Sequence, residues 1–251
     1  RLGSNGINRY TIGQATQGLA NALKGTSKLS VAIACDCRIN SQYFAETAAN
    51  VLAANDIDVY LFDSLRPTPL LSFALREKGC DAGIVITASH NPKAYNGYKV
   101  YGKDGGQIVP PQDTDILQSV RKVGIGNILW SGGQGRIHRL GEDMDQSYIN
   151  MLESMQLTKA RDLSVVFTSL HGTAITLLPE ALKRFGFSQV HVLASQAEPD
   201  GNFPTVGSPN PEEAAVLELA INKAHELGAD LVIGCDPDAD RVGIAVMDHD
   251  G

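Results

Sequence analysis

Short apolar runs rich in β-branched residues alternate along this chain with stretches whose apolar positions recur every three or four residues. Residues 29–34 (LSVAIA), 57–62 (IDVYLF) and 82–87 (AGIVIT) carry the continuous hydrophobicity of strands buried on both faces of a parallel sheet. Between the first two, Phe44, Ala45, Ala48, Val51 and Leu52 keep helical spacing behind Ser41, a candidate N-cap. Thr68-Pro69 opens a second helix, and Gly79 closes it. The N-terminal half therefore reads βαβαβ.

Segments 102–112 and 124–135, rich in Gly, Pro and Gln, flank a predicted helix over 113–123. A helix over 143–155 leads into a second alternating series, with strands over 163–167, 189–193 and 229–234. Ahead of the last strand lies the turn-dense DGNFPTVGSPNPEE (200–213). It ends in Asn210 as a cap, Pro211 at the first helical position, and Glu212 and Glu213 where carboxylates suit the helix dipole. That helix is expected to run to Leu227 and stop at Gly228. Two α/β units in tandem, joined near 124–142, are the economical arrangement. The Gly-rich segments at 124–126 and 132–135 neither follow a strand nor open a helix, which excludes dinucleotide and P-loop readings.

The 21 Lys plus Arg against 28 Asp plus Glu give a formal net charge of -7, which argues against nucleic acid as a partner. With 43% hydrophobic and 20% charged residues the chain is apolar enough to fold. No apolar run approaches the roughly 18 residues of a membrane span, and no signal-peptide series is present, so a soluble cytoplasmic protein with no membrane partner is expected. Cys35, Cys37, Cys80 and Cys235 read as buried thiols, since Cys35-Asp36-Cys37 lacks a second pair at zinc spacing. The chain opens on Arg1 rather than Met and stops at Gly251, close behind a strong polar motif, and is expected to be part of a longer protein.

Two segments carry candidate chemistry. Thr87-Ala88-Ser89-His90-Asn91-Pro92 follows an apolar strand, at the end where open α/β sheets bind ligands. Ser89 is a nucleophile only if a base or a charged environment assists it, and His90, its neighbour in an extended segment, points to the opposite side. A polar turn accounts for the same residue types. Asn96-Gly97 signals a reversal that returns Lys99 toward Ser89. The second segment, Asp236-Pro237-Asp238-Ala239-Asp240-Arg241, follows the strand at 229–234; carboxylates at i, i+2 and i+4 of an extended segment share one side. Three such oxygen donors repel one another unless a cation sits among them, and they suit Mg²⁺ better than Ca²⁺ or Zn²⁺. Arg9, in a Gly/Asn-rich opening, could face a phosphate or lie in a disordered terminus, and His171-Gly172-Thr173 is a strand-end turn or a site.

TASHNP with a Lys ten residues after its Ser, then HGT, DGNFPTVGSPNPE and DPDADR, in that order, resemble the α-D-phosphohexomutases, the phosphoglucomutase and phosphomannomutase family. The resemblance spans Arg9 to Arg241. It implies an α/β fold of two tandem three-layer domains with mixed, mostly parallel sheets, a phosphoserine-bearing domain over 1–135 and a metal-binding domain over 142–251. It implies that Ser89 carries the phosphoryl group, with Mg²⁺ held by Ser89, Asp236, Asp238 and Asp240. Arg9, His90, Lys99 and Arg241 match the family's cationic positions, Lys99 as general base or acid for the sugar hydroxyl, which requires a depressed pKa or transient deprotonation near the Mg²⁺ and neighbouring cations. The implied reaction interconverts hexose 1-phosphate and hexose 6-phosphate, with glucose 1,6-bisphosphate as activator. Members resemble four-domain proteins, so a sugar-recognition domain and a C-terminal phosphate-binding domain are expected to be missing, leaving this piece little turnover of its own. Two alternatives stand beside this: a haloacid-dehalogenase-like phosphatase with Asp236 as nucleophile, and a sugar-phosphate-binding module without catalysis.

Overall fold

A computed structural model describes residues 1–23 and 28–248; the last three positions of the expected second domain lie outside the described residues. The order of elements is α1 (Arg9–Ala22), β1 (Ser30–Cys35), α2 (Ser41–Ala54), β2 (Asp58–Phe62), α3 (Thr68–Glu77), β3 (Ala82–Ile86), β4 (Lys99–Gly102), α4 (Gln112–Arg121), β5 (Ile137–Leu140) and α5 (Glu142–Ser154). It continues with β6 (Ser164–Thr168), α6 (Leu178–Arg184), β7 (Gln189–Val192), α7 (Glu218–Leu227), β8 (Leu231–Cys235) and β9 (Val242–Val246).

The strands form two mixed sheets. The first has the order β4-β3-β1-β2-β5 and the second β7-β6-β8-β9. In each, all neighbours are parallel except one edge strand, β4 or β9, which returns antiparallel. Alternate residues of β1 face opposite helical layers: Val31 and Ile33 meet Leu19 of α1 and Phe44, Ala48 and Leu52 of α2, while Ala32 and Ala34 meet Leu70, Leu71 and Ala74 of α3. The second sheet is sandwiched likewise, with Val166 and Val232 against α7 and Phe167 against Ala174, with Leu178 of α6 packed alongside. These are the expected three-layer α/β units. All four cysteines are free, and Cys35, Cys80 and Cys235 are buried.

Several local expectations are corrected. The N-terminal segment is ordered: Asn8 Oδ1 accepts from the amides of Tyr10 and Thr11, Thr11 Oγ1 accepts the Asn8 amide in return, and the capped α1 buries Ile12 and Leu19. Ser41 does not cap α2. It is the first helical residue, and its hydroxyl donates to Asp36 Oδ1 at 2.8 Å. The helix expected from Pro211 starts later, because residues 211–217 form turns and a short 3-10 segment before α7; its stop at a left-handed Gly228 stands. The supposed linker 124–142 contains β5, which pairs with β2, so the first unit extends past residue 135. An edge strand with three exposed positions offers no apolar run to read.

The two units share a core. Leu70, Leu71 and Ala74 of α3 pack in one buried cluster with Met144 and Ile149 of α5 and with Leu177 and Ala181 at the start of α6. Above it, Arg66 makes a bidentate, largely buried pair with Asp145, at 2.8 and 2.7 Å. Leu71→Ala is expected to cost about 2–5 kcal/mol in urea denaturation, the usual range for a fully buried leucine. Because that cluster spans both units, wild type and variant are each expected to unfold in one transition; two separated transitions would show that the units are not coupled.

Candidate functional site

The carboxyl ends of both sets of parallel strands meet at one place. Beyond β3, Thr87 donates its hydroxyl to Asp36 Oδ2 at 2.7 Å and accepts the Ser89 amide at 2.9 Å. The chain turns there, and Ser89 has a φ of 49°, a left-handed conformation that costs a non-glycine residue on the order of 1 kcal/mol. Being turned rather than extended, the segment does not send Ser89 and His90 to opposite sides: His90 Nδ1 lies 3.3 Å from Ser89 Oγ. The chain does reverse between β3 and β4, but through turns closed by Asn91 N to Ala88 O and Tyr95 N to Pro92 O rather than at Asn96-Gly97, and β4 places Lys99 opposite Val85, at the same end of the sheet.

From the second sheet, residues 236–241 make the turn between β8 and β9. This loop also is not extended: Ala239 has a φ of 53°, and its amide donates to Asp236 O at 2.9 Å. The three carboxylates converge because the turn curls around them, not because strand alternation aligns them, and each offers a ligand oxygen within 4.8 Å of the others. Asp236 Oδ1 accepts the amides of Asp240 and Arg241 at 3.1 and 2.9 Å, and its Oδ2 accepts the Ser89 hydroxyl at 2.7 Å. Ser89 Oγ is also 3.5 Å from Asp240 Oδ1. Asp238 Oδ2 accepts Thr68 Oγ1 and Lys99 Nζ, both at 2.9 Å, and Lys99 Nζ reaches Asp240 Oδ2 at 2.8 Å. Asp238 Oδ1 is buried with no hydrogen-bond partner among the described residues.

The charges respond as Coulomb's law requires. Burial first, then the neighbouring Asp238 charge, pushes the Asp236 carboxyl up to about 8. Burial opposes charge on Asp238 too, but the Lys99 ammonium beside it outweighs that and holds it below the usual range. Lys99 is desolvated, which favours its neutral form, yet Asp238 and Asp240 overcome this and its pKa rises. In this metal-free arrangement Lys99 acts as the cation of the cluster and its pKa is not depressed. Three converging carboxylates, one with an unpartnered buried oxygen, beside a serine hydroxyl form a donor set that fits a hard divalent cation such as Mg²⁺.

Ser89, His90, Lys99, Asp236, Asp238 and Asp240 are thus brought together. Arg241 contributes its backbone amide, while its side chain pairs with Glu212 at 2.8 Å near the surface. Arg9 is elsewhere, exposed at the start of α1, with its guanidinium 4.5 Å over the Trp130 ring. His171 binds Thr205 Oγ1 at 2.9 Å, and Thr173 donates to Pro237 O from its amide and hydroxyl, so HGT supports the aspartate loop rather than joining it. Gly172 is obligatory there, as a Cβ would come within 2.5 Å of Pro237 Cα. Sequence reading missed Asp36, Arg38 and Thr68. Asp36 and Arg38 follow β1 as Ser89 follows β3, so the same strand-end argument reaches them.

Fold and site together define a two-unit α/β protein in which one sheet presents a serine to a carboxylate cluster on the other. The descriptions "Phosphoglucomutase/phosphomannomutase, alpha/beta/alpha domain I" and "domain II" match residues 1–124 and 146–250. The chain belongs to the phosphoglucomutase/phosphomannomutase family. It is 43% identical over 250 residues to a Haemophilus influenzae protein named "Probable phosphomannomutase", covering 98% of this chain and 52% of that protein. It is 42% identical to a "Phosphoglucomutase" of Staphylococcus epidermidis, covering 100% of this chain and 47% of that protein. The chain thus spans about half the length of the curated relatives it matches. A solved phosphoglucomutase/phosphomannomutase family protein from Burkholderia thailandensis shares the fold, with a TM-score of 0.78 at 24% identity over 97% of this chain and 52% of that one.

Lys99 and a divalent cation compete for the same oxygens, so Lys99→Met is expected to tighten Mn²⁺ binding roughly tenfold, since close charge pairs couple by about 1.5 kcal/mol or more. Asp238→Asn is expected to abolish it; calorimetric titration reads both. In metal-free protein the folded state retains the Asp236 proton to about pH 8, whereas the unfolded state loses it near the usual carboxylate value. Folded protein then binds more protons across that window, and stability falls as pH rises from about 4 toward 8. Urea denaturation in chelator is expected to show this fall and to show it flattened in Asp236→Asn.

Proposed function

We propose that this chain is the phosphoryl-transfer half of a mutase interconverting hexose 1-phosphate and hexose 6-phosphate through a phosphoserine at Ser89 and a bisphosphorylated sugar. The observation that carries the reading is the approach of Ser89 Oγ, from the first unit, to within 2.7 Å of Asp236 and 3.5 Å of Asp240, from the second. A carboxylate cluster is a hostile neighbour for a phosphoryl group unless a cation intervenes. Ser89, Asp236, Asp238 and Asp240 would hold Mg²⁺, which supplies neutralisation of the negative charge that spreads over the phosphoryl oxygens during transfer.

The chain's own residues account for the remaining requirements. The turned backbone at Ser89 presents Oγ beyond the end of β3. In the transfer, a sugar hydroxyl oxygen bonds to phosphorus as the bond to Ser89 Oγ breaks, and the hydroxyl proton passes to a base at the site. Lys99 can take that role only once its carboxylate partners are otherwise neutralised; His90, 3.3 Å from Oγ, can bear on the serine oxygen as it gains charge. The phosphatase reading loses ground because both Asp236 oxygens are engaged, one by two amides and the other by Ser89. Sugar recognition and binding of the distal phosphate are assigned to regions outside this chain, so turnover by the chain alone is expected to be slight.

Intact mass and peptide mapping after incubation with Mg²⁺ and glucose 1,6-bisphosphate test this reading, in the chain and in the full-length protein. One phosphoryl group on Ser89, absent from Ser89→Ala and from samples with chelator, is expected. Phosphorylation of Asp236, or of neither residue in either form, would contradict it.

A further inference from the structure

The cluster at the end of β1 lies outside the group of converging carboxylates, yet it holds a buried ion pair, Arg38 with Asp36, beside the Ser89 turn. Arg38 is buried, and its guanidinium points into the loop that carries Ser89. Nη2 donates to Ser89 O at 2.6 Å and to Asn91 O; Nη1 donates to Pro92 O at 3.1 Å and Tyr95 O at 3.0 Å. Two successive turns, closed by Asn91 N to Ala88 O and Tyr95 N to Pro92 O, aim these carbonyls at one point. Nothing but a planar fork of donors satisfies them together.

The fork is itself held from two sides. Asp36, fully buried, faces Arg38 Nε at 3.3 Å in an ion pair whose angle is too poor for a hydrogen bond, and accepts the Arg38 amide at 2.9 Å. The same carboxylate accepts the hydroxyls of Thr87 and Ser41, so it ties Arg38 to the strand end that starts the Ser89 turn. On the other side the ring of Phe203, from the second unit, lies 5.0 Å from the guanidinium carbon. Phe203 is buried and has a φ of 48°, a conformation that a bulky residue adopts only when its surroundings fix it. Neighbouring Gly201 has no room for a Cβ, which would meet Cys37 O and Ile39 N at 2.7 Å. The loop at 200–206 is therefore pressed against the Arg38 segment, and Ser208 Oγ adds a bond to His90 O at 3.0 Å.

We propose that Arg38 is the positioning residue of the Ser89 turn and that Phe203 of the second unit clamps it, so that docking of the two units and presentation of Ser89 to the carboxylates are one event. The functional half of this statement rests on Ser89 being the phosphoryl carrier. Lysine cannot substitute, because one ammonium cannot reach carbonyls that the two ends of the guanidinium serve separately.

The test compares Arg38→Lys, Arg38→Met and Phe203→Leu with wild type, in whichever form of the protein takes up phosphoryl on Ser89. Three readouts are taken: the rate of Ser89 phosphorylation, Mn²⁺ affinity, and amide hydrogen exchange over 88–97. Arg38→Lys is expected to slow phosphorylation roughly 100-fold, the scale of a 1 Å misplacement, and Phe203→Leu roughly tenfold. Mn²⁺ affinity is expected to fall by less than the phosphorylation rate does, because the three aspartates stay on the turn of the second unit and only the Ser89 ligand is displaced, and exchange is expected to quicken at 88–97 and 200–206. A merely structural role would lower the melting temperature while leaving rate and local exchange in the folded protein unchanged, and that result overturns the proposal. If Arg38→Met does not fold, Arg38→Lys and Phe203→Leu decide. If wild type takes no phosphoryl at all, the Ser89 reading fails by itself, and the exchange data still decide whether the clamp exists.

Discussion

Three carboxylates that converge within 4.8 Å, two of them fully buried, demand a cation, and the architecture is arranged around meeting that demand. In this structure Lys99 supplies the positive charge, paired with Asp238 and Asp240, while Asp236 relieves the remaining repulsion by favouring its protonated form. Each partner comes from a different part of the chain. The aspartates sit on a hairpin turn of the second sheet, Lys99 on the antiparallel edge strand of the first, and Ser89 on the turn between them in space. The site therefore exists only where the two units meet.

That dependence explains why the interface is built like a core. The apolar cluster joining α3, α5 and α6 fixes the units at one side, and the Arg66 pair with Asp145 orients them. Closer to the chemistry, Thr68 bonds Asp238 through both its amide and its hydroxyl, and Thr173 grips Pro237. Polar contacts of this kind tolerate little sliding, since a buried donor or acceptor that loses its partner costs about 1–3 kcal/mol. Three residues near the site, Ser89, Ala239 and Phe203, hold left-handed backbone conformations that packing enforces.

Much of the fold was legible in the sequence, because buried parallel strands are written as continuous apolar runs and each of those predicted is present. Among the elements that escaped, the edge strands β4, β5 and β9 are short and held by pairing with an inner strand, and α1 is announced by a capping asparagine inside a segment that otherwise reads as loop. At the site, Ser89 and the three aspartates were reachable from their places after strands, and Lys99 from the reversal expected before it. The reasons were partly mistaken. Neither loop is extended, so strand alternation neither aligns the carboxylates nor separates Ser89 from His90: left-handed residues turn the chain, the carboxylates converge around their turn, and His90 comes to the same side as Ser89. Arg9 was out of reach of sequence reasoning altogether, since nothing local says that its guanidinium stacks on Trp130, more than a hundred residues away.

The central claim is that one cation site is shared by the aspartate turn and the serine of the other unit. An anomalous difference map from crystals grown with Mn²⁺ tests it most directly. A single peak ligated by Asp236, Asp238 and Asp240 and adjoining the Ser89 side chain, with Lys99 Nζ withdrawn from the carboxylates, is the predicted result. A cluster left without a peak, or Mn²⁺ bound elsewhere with Lys99 still between Asp238 and Asp240, would contradict it.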